Sequence, residues 1–201
     1  MAKDLNKSRI QNTRILLIVT LSVILFSKST ISTQSILHDI LKYSGFFLVT
    51  ICALGRVYST AFLGGYKNNK LITYGIFSVV RNPLYFFSLI GMFGISLMTG
   101  YVTVMIICPI IFTIMYHYLI SREEVFLLKH FGSEYQHYLN TVPRLLPNFK
   151  LYNAPETIEV NPKFLVKGFK DAIWWSAALP LLGFIYFLHH AKYLPVLFII
   201  P

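Results

Sequence analysis

The sequence predicts an all-α fold, a polytopic integral membrane bundle of about five transmembrane helices, and three observations predict it. Of 201 residues, 55% are hydrophobic and only 13% are charged, whereas soluble domains carry about a quarter charged residues. Several apolar runs approach the roughly 20 residues that a helix needs to cross a bilayer. Lys and Arg gather between and beside these runs, and the formal net charge is +10. In a soluble protein that excess would suggest nucleic acid. Flanking apolar spans, it reads instead as membrane orientation and attraction to anionic lipid, so no nucleic-acid partner is expected. Cys52 and Cys108 both fall inside apolar runs, with neither metal-ligand spacing nor a disulfide framework.

The elements follow in order. Met1 to Arg14 is polar, with Lys3, Lys7, Arg9 and Arg14. Ile15 to Phe26 is apolar but short. It is extended through a Ser/Thr-rich stretch to about Ser35, because hydroxyls bond within a membrane helix. This run passes Lys28 without a small-residue cleavage pattern, so no cleavable signal peptide is expected. Ile36 to Leu63 is the second span, interrupted by His38, Asp39 and Lys42 near its start and Arg56 near its end. Gly64 to Arg81 is a polar connection. Pro83 to Met98 and Val102 to Ile120 are the third and fourth spans, and the uncharged turn Thr99-Gly100-Tyr101 makes them a hairpin.

From Ser121 an amphipathic helix carries the fourth span out of the bilayer, with Phe126, Leu127, Leu128 and Phe131 on its apolar side. Gly132 is placed to break it, and Pro143 and Pro147 to close it. Asn148 to Lys170 reads as a polar linker. Ala172 to His189 is the fifth span, anchored by Trp174 and Trp175 at an interface, and Lys192 to Pro201 is an apolar tail lying at the far interface. Three regions result: a transmembrane helical pair over 1–63, a core over 64–149, and a linker with a C-terminal helix over 150–201. A cytoplasmic N-terminus puts the tail, the 64–82 connection and the 121–171 segment on one side. Only Lys28, Lys42 and Lys192 then lie opposite, as the positive-inside rule demands.

The chemistry is concentrated at the two ends of the hairpin. Tyr74 to Tyr85, YGIFSVVRNPLY, is a turn-rich segment between two apolar runs. Gly75 permits positive φ, Asn82 is pushed out of the α region by the proline that follows it, and Pro83 opens a helix. Arg81 thus stands at the mouth of an apolar helix, beside backbone N–H groups suited to an anion or carboxylate. At the other end is Glu123-Glu124, a costly pair at a membrane helix end unless solvated or paired. Tyr116, Ile120, Glu123 and Leu127 share one helical face, and His117, Ser121, Glu124 and Leu128 share another. Two readings stand open: one carboxylate points back toward Arg81, or both face water. Arg144 is a further cation suited to lipid phosphate or to a Glu. His130 and His137 lack a third partner, and no metal site is expected.

The ordered set Gly75-x-Phe77-x3-Arg81-Asn82-Pro83-x-Tyr85, a hairpin, then Glu123-Glu124-x2-Leu127-x3-Phe131-Gly132-x2-Tyr135-x2-Tyr138-x3-Val142-Pro143-Arg144-x2-Pro147 resembles the isoprenylcysteine carboxyl methyltransferase family, which is related to the phospholipid methyltransferases of membranes. The resemblance covers about residues 64–149. It implies a membrane enzyme that takes a methyl group from S-adenosylmethionine and delivers it to a lipophilic acceptor, an isoprenylcysteine-like carboxylate or a phospholipid amine. Carried over by motif, Lys70, Leu71 and Ile72 lie along the cofactor, Phe77 stands beside it, Asn82, Pro83, Leu84 and Tyr85 contact it, and Glu123 binds one of its polar groups. Arg81, Tyr85, Glu124 and His117 are the candidate catalytic residues. Asn82 replaces the family's usual His, and Phe77 lacks the hydroxyl of a Tyr often found there. Leu119 stands where prenylcysteine enzymes carry an Arg, with His117 two residues before it. Two other classes fit the same helices: a sterol-type reductase using NADPH, and a membrane scaffold without catalysis.

Overall fold

The computed structural model describes residues 15, 18–64 and 70–201. The expectations for residues 1–14 and for Lys67 lie outside that set. Helix α1 (residues 18–26) runs directly into a three-residue strand, β1 (Ser27–Ser29). Then follow α2 (Ile36–Leu63), α3 (Ile76–Val79), α4 (Pro83–Met98), α5 (Val102–Phe131) and α6 (Ser133–Thr141). A 3-10 turn (Phe149–Leu151), α7 (Pro162–Ser176), α8 (Ala178–His190) and β2 (Phe198–Ile200) complete the chain. The all-α membrane bundle is therefore observed. Among the described residues, α2, α5 and the Pro162–His190 segment are long and apolar enough to cross a membrane, and α4 is a shorter apolar helix.

Local chemistry explains the boundaries. Ser35 caps α2 by accepting the His38 N–H at 3.2 Å, and Gly64 closes it in the left-handed region. Pro83 occupies the first turn of α4, where its missing N–H loses nothing. Thirty residues at 1.5 Å each make α5 about 45 Å long, against a hydrocarbon core of about 30 Å, so its last turns stand outside the bilayer. Along α5, Ile106, Ile110 and Ile114 form an exposed apolar stripe suited to lipid, while Val104, Cys108, Phe112 and Tyr116 are buried. Gly132 separates α5 from α6, at the position expected.

Helix α2 is the spine, packing along α4 and α7. Its backbone comes close to that of α4 at Gly45 and Gly94. A Cβ on Gly45 would stand 2.4 Å from the Gly94 carbonyl oxygen, and one on Gly94 would stand 2.6 Å from that of Gly45. Small residues let the two backbones touch, which is how membrane helices gain packing without a hydrophobic driving force.

Three expectations are corrected. The first span does not continue to Ser35. Its helix stops at residue 26, and β1 pairs in parallel with β2, Ser27 opposite Phe198 and Ser29 opposite Ile200. The tail does not lie at the interface alone. It is tied to the first turn of α5, where Pro201 O accepts from both N–H and Oγ1 of Thr103, at 2.9 and 2.8 Å. The pairing satisfies backbone groups that an isolated end would leave open. Finally, the linker ends early and the fifth span starts early: α7 begins at Pro162, capped by Asn161, which accepts the Lys163 N–H at 3.0 Å. That segment is also divided at Ala177 into α7 and α8.

Candidate active site

The turn before α4 is held from downstream. Gly75 takes φ +62°, and a Cβ there would stand 2.2 Å from the Phe62 ring, so both conformation and space require glycine. Residues 75–80 are all buried, which the reading of 64–81 as a polar connection missed. Backbone and side-chain groups of 138–153 strap them down. Tyr138 Oη donates to Phe77 O at 2.6 Å, Asn148 N to Val79 O at 3.0 Å, and Gly75 N to Asn153 O at 2.7 Å. Arg81 N donates to Pro143 O at 2.9 Å, and Asn82 Nδ2 to Arg144 O at 3.2 Å.

This strapping sets Arg81, Asn82 and Tyr85 against the outer part of α5. Of the two readings left open for the carboxylates, the one pointing inward holds. Glu124, its side chain 15% exposed, takes Arg144 Nη2 at 2.9 Å on one oxygen and lies 3.2 Å from Arg81 Nη2 on the other. The second contact is an ion pair without an aligned hydrogen bond. Arg81 Nη1 donates to Leu139 O, so both ends of its guanidinium are engaged. Arg144 Nη2 also donates to Ser121 Oγ at 2.6 Å, and its Nη1 lies 3.3 Å from His117 Nδ1. His117, Ser121 and Glu124 thus meet one cation, as their shared face requires.

On the neighbouring face Glu123 Oε2 accepts the Tyr85 hydroxyl at 2.8 Å. Tyr85 packs edge-on against Tyr116 (centroids 4.8 Å apart), and Tyr116 against Phe112 (4.3 Å). Below them Leu119 and Ile120 complete a buried apolar floor. Beside Glu124, burial and then the carboxylate's charge push the Tyr135 hydroxyl above its ordinary value, which keeps it neutral.

The remaining candidates are dispersed. Phe77 and Ile72 are buried in a separate cluster with Phe62, Ile76 and Val79. Leu71 packs on Tyr135, Tyr138 and Val142. Lys70 lines a cavity of about 650 Å³ with Tyr74, Asn153, Pro155 and Glu159. Leu84 turns its carbonyl to Arg56 Nη1 at 3.2 Å, a contact that sequence reasoning missed. An arginine inside an otherwise apolar span was the signal for it. Among the described residues no three His, Cys, Asp or Glu side chains group to hold a metal ion.

Two curated relatives align over most of the chain. The nickel-cobalt-cadmium resistance protein NccN of Alcaligenes xylosoxydans xylosoxydans is 27% identical over 157 residues, 78% of this chain and 73% of its own. The cobalt-zinc-cadmium resistance protein CzcN of Cupriavidus metallidurans is 29% identical over 171 residues, 85% of this chain and 78% of its own. No solved structure matches. A family model described as phospholipid methyltransferase matches residues 19–134. That range exceeds half of the 201 residues and contains α2, the Arg81 turn, α4 and α5 with its two glutamates. Motif order, helical frame and family model agree, and the chain belongs to the phospholipid methyltransferase family.

Proposed function

We propose that the protein is an integral membrane methyltransferase that uses S-adenosylmethionine and acts on a lipophilic acceptor. The observation that carries this reading is the joining of the Arg81–Tyr85 turn to Glu123-Glu124 across the α4–α5 hairpin. The donor set fits the methyl donor. Its ammonium and ribose hydroxyls are hydrogen-bond donors that need an acceptor, and Glu123 offers a carboxylate already oriented by Tyr85. The aromatic group Tyr85, Tyr116 and Phe112 suits a cationic sulfonium.

In this reading S-adenosylmethionine supplies an electrophilic methyl, and the protein's task is to align and to exclude water. Glu123 binds the polar end of the donor, and Tyr85 fixes its carboxylate. Asn82, Pro83 and Leu84 shape the contact surface, whereas Ile72 and Phe77 are buried in a separate cluster and Leu71 packs on Tyr135 and Tyr138. Arg81 has both Nη groups engaged within the fold, so we assign it, with Glu124, to holding the hairpin shut. We assign the donor's carboxylate to Lys70, a cation lining the cavity it forms with Tyr74, Asn153 and Glu159. A carboxylate acceptor needs no base. An amine or thiol must lose a proton, and we assign its acceptance to His117, exposed on α5.

Purified protein in detergent, given methyl-labelled S-adenosylmethionine and a membrane lipid extract, is expected to transfer label into the organic-soluble fraction. Binding of NADPH with no affinity for S-adenosylmethionine would replace this reading with the reductase one, and binding of neither would leave a scaffold. The positive-inside pattern also supports a cytoplasmic site. Lys129→Cys is expected to react with a membrane-impermeant maleimide only after permeabilisation, and Lys192→Cys in intact cells. The reverse pattern would invert the topology.

A further inference from the structure

The C-terminal segment past residue 150 is outside the range that the family model matches, yet one of its side chains is joined through a single arginine to the start of α4, which carries Tyr85. Arg56 of α2 is the connection. Its side chain is 17% exposed and lies within a membrane helix, where an unpaired cation is costly. Nη1 donates to Leu84 O at 3.2 Å and to Ser88 Oγ at 2.5 Å, both in the first turns of α4. Nη2 pairs with Asp171 Oδ2 of α7 at 2.9 Å. Ser88 Oγ itself donates to Leu84 O at 2.7 Å, so that carbonyl receives a second side-chain donor.

Helix α7 is registered on α2 on both sides of this pair. One turn before Asp171, Gly168 is buried against Thr60, and a Cβ there would stand 3.2 Å from the Thr60 Cβ. One turn after it, the Trp175 ring lies 5.9 Å from the Arg56 guanidinium carbon. A partly buried ion pair of this kind adds little net stability over an apolar substitute. What it does supply is direction: Arg56 has a fixed fork, and Asp171 decides which way the fork opens.

We propose that Asp171 and Arg56 are positioning residues, which set the first turn of α4 and through Leu84 the orientation of the adjacent Tyr85 against Glu123. The functional part of this inference rests on the methyltransferase reading; the geometric part does not. Helix α7 is then a working part of the donor site and not a bare membrane anchor.

The experiment places 3-fluorotyrosine at position 85 of the full chain in detergent and follows its ¹⁹F resonance, with Glu123→Gln as the reference shift. Asp171→Asn and Arg56→Lys are each expected to move the resonance by at least half the reference shift, in protein that still unfolds cooperatively. In the same variants the KM for S-adenosylmethionine should rise about tenfold while kcat changes less, as displacement of a binding group requires. An unmoved resonance in both variants, or no shift on Glu123→Gln, would overturn the proposal. A moved resonance in a protein that binds no methyl donor would support the positioning and sink the methyltransferase reading alone.

Discussion

Glu123→Ala is expected to abolish measurable binding of S-adenosylmethionine by calorimetry, and Glu123→Gln to weaken it by about 10- to 140-fold. A hydrogen bond to a charged group contributes about 1.5–3 kcal/mol, and each 1.4 kcal/mol is tenfold. Glutamine keeps the shape and one acceptor oxygen but loses the charge, so it separates recognition of an ammonium from mere packing. Tyr85→Phe supplies the intermediate case. It retains the ring against Tyr116 and removes only the hydroxyl that Glu123 Oε2 accepts at 2.8 Å. A loss of about tenfold is expected there, because the carboxylate remains but its orientation is no longer fixed. Unchanged affinity in Glu123→Ala, with thermal stability preserved, would take this residue out of the donor site.

How much of this was legible beforehand depends on whether the signal is local. The α4–α5 hairpin was, because Pro83 and Gly100 mark its start and its turn and the intervening runs are uniformly apolar. The grouping of His117, Ser121 and Glu124 was, because helical geometry alone puts them on one face, and Arg144 meets all three. The pairing of β1 with β2 was not. Three residues at one end of the chain and three at the other carry no periodicity, and Ser27–Ser29 reads as continuation of an apolar helix. Helix α7 was missed for a different reason. Lys163, Lys167, Lys170 and Asp171 make its first half look like a linker, although Asn161-Pro162 is a sound helix start. Missing α7 also hid Asp171 as the partner of Arg56.

The largest stability effect is expected at Glu124. Its carboxylate separates two guanidiniums, Arg81 with a side chain 11% exposed and Arg144 with one 25% exposed. Removing one partner of a buried charge network leaves the others uncompensated, at about 3–5 kcal/mol. Glu124→Ala should therefore lower the thermal unfolding temperature in detergent steeply, or prevent recovery of folded protein. Glu124→Gln should be milder, since its one amide oxygen still accepts from Arg144, although it loses the charge that faces Arg81. The decisive measurement is the combined replacement. Arg81→Met and Arg144→Met combined with Glu124→Leu remove the whole ion network and fill its space, and this variant should be markedly more stable than Glu124→Ala alone. Such a protein would still lack the Arg81–Glu124 link between the turn and the hairpin, so methyl transfer should remain low although the fold is regained. If stability and activity returned together, the network would be a structural filler. If stability returned without activity, Arg81 and Glu124 hold the geometry in which Tyr85 presents Glu123.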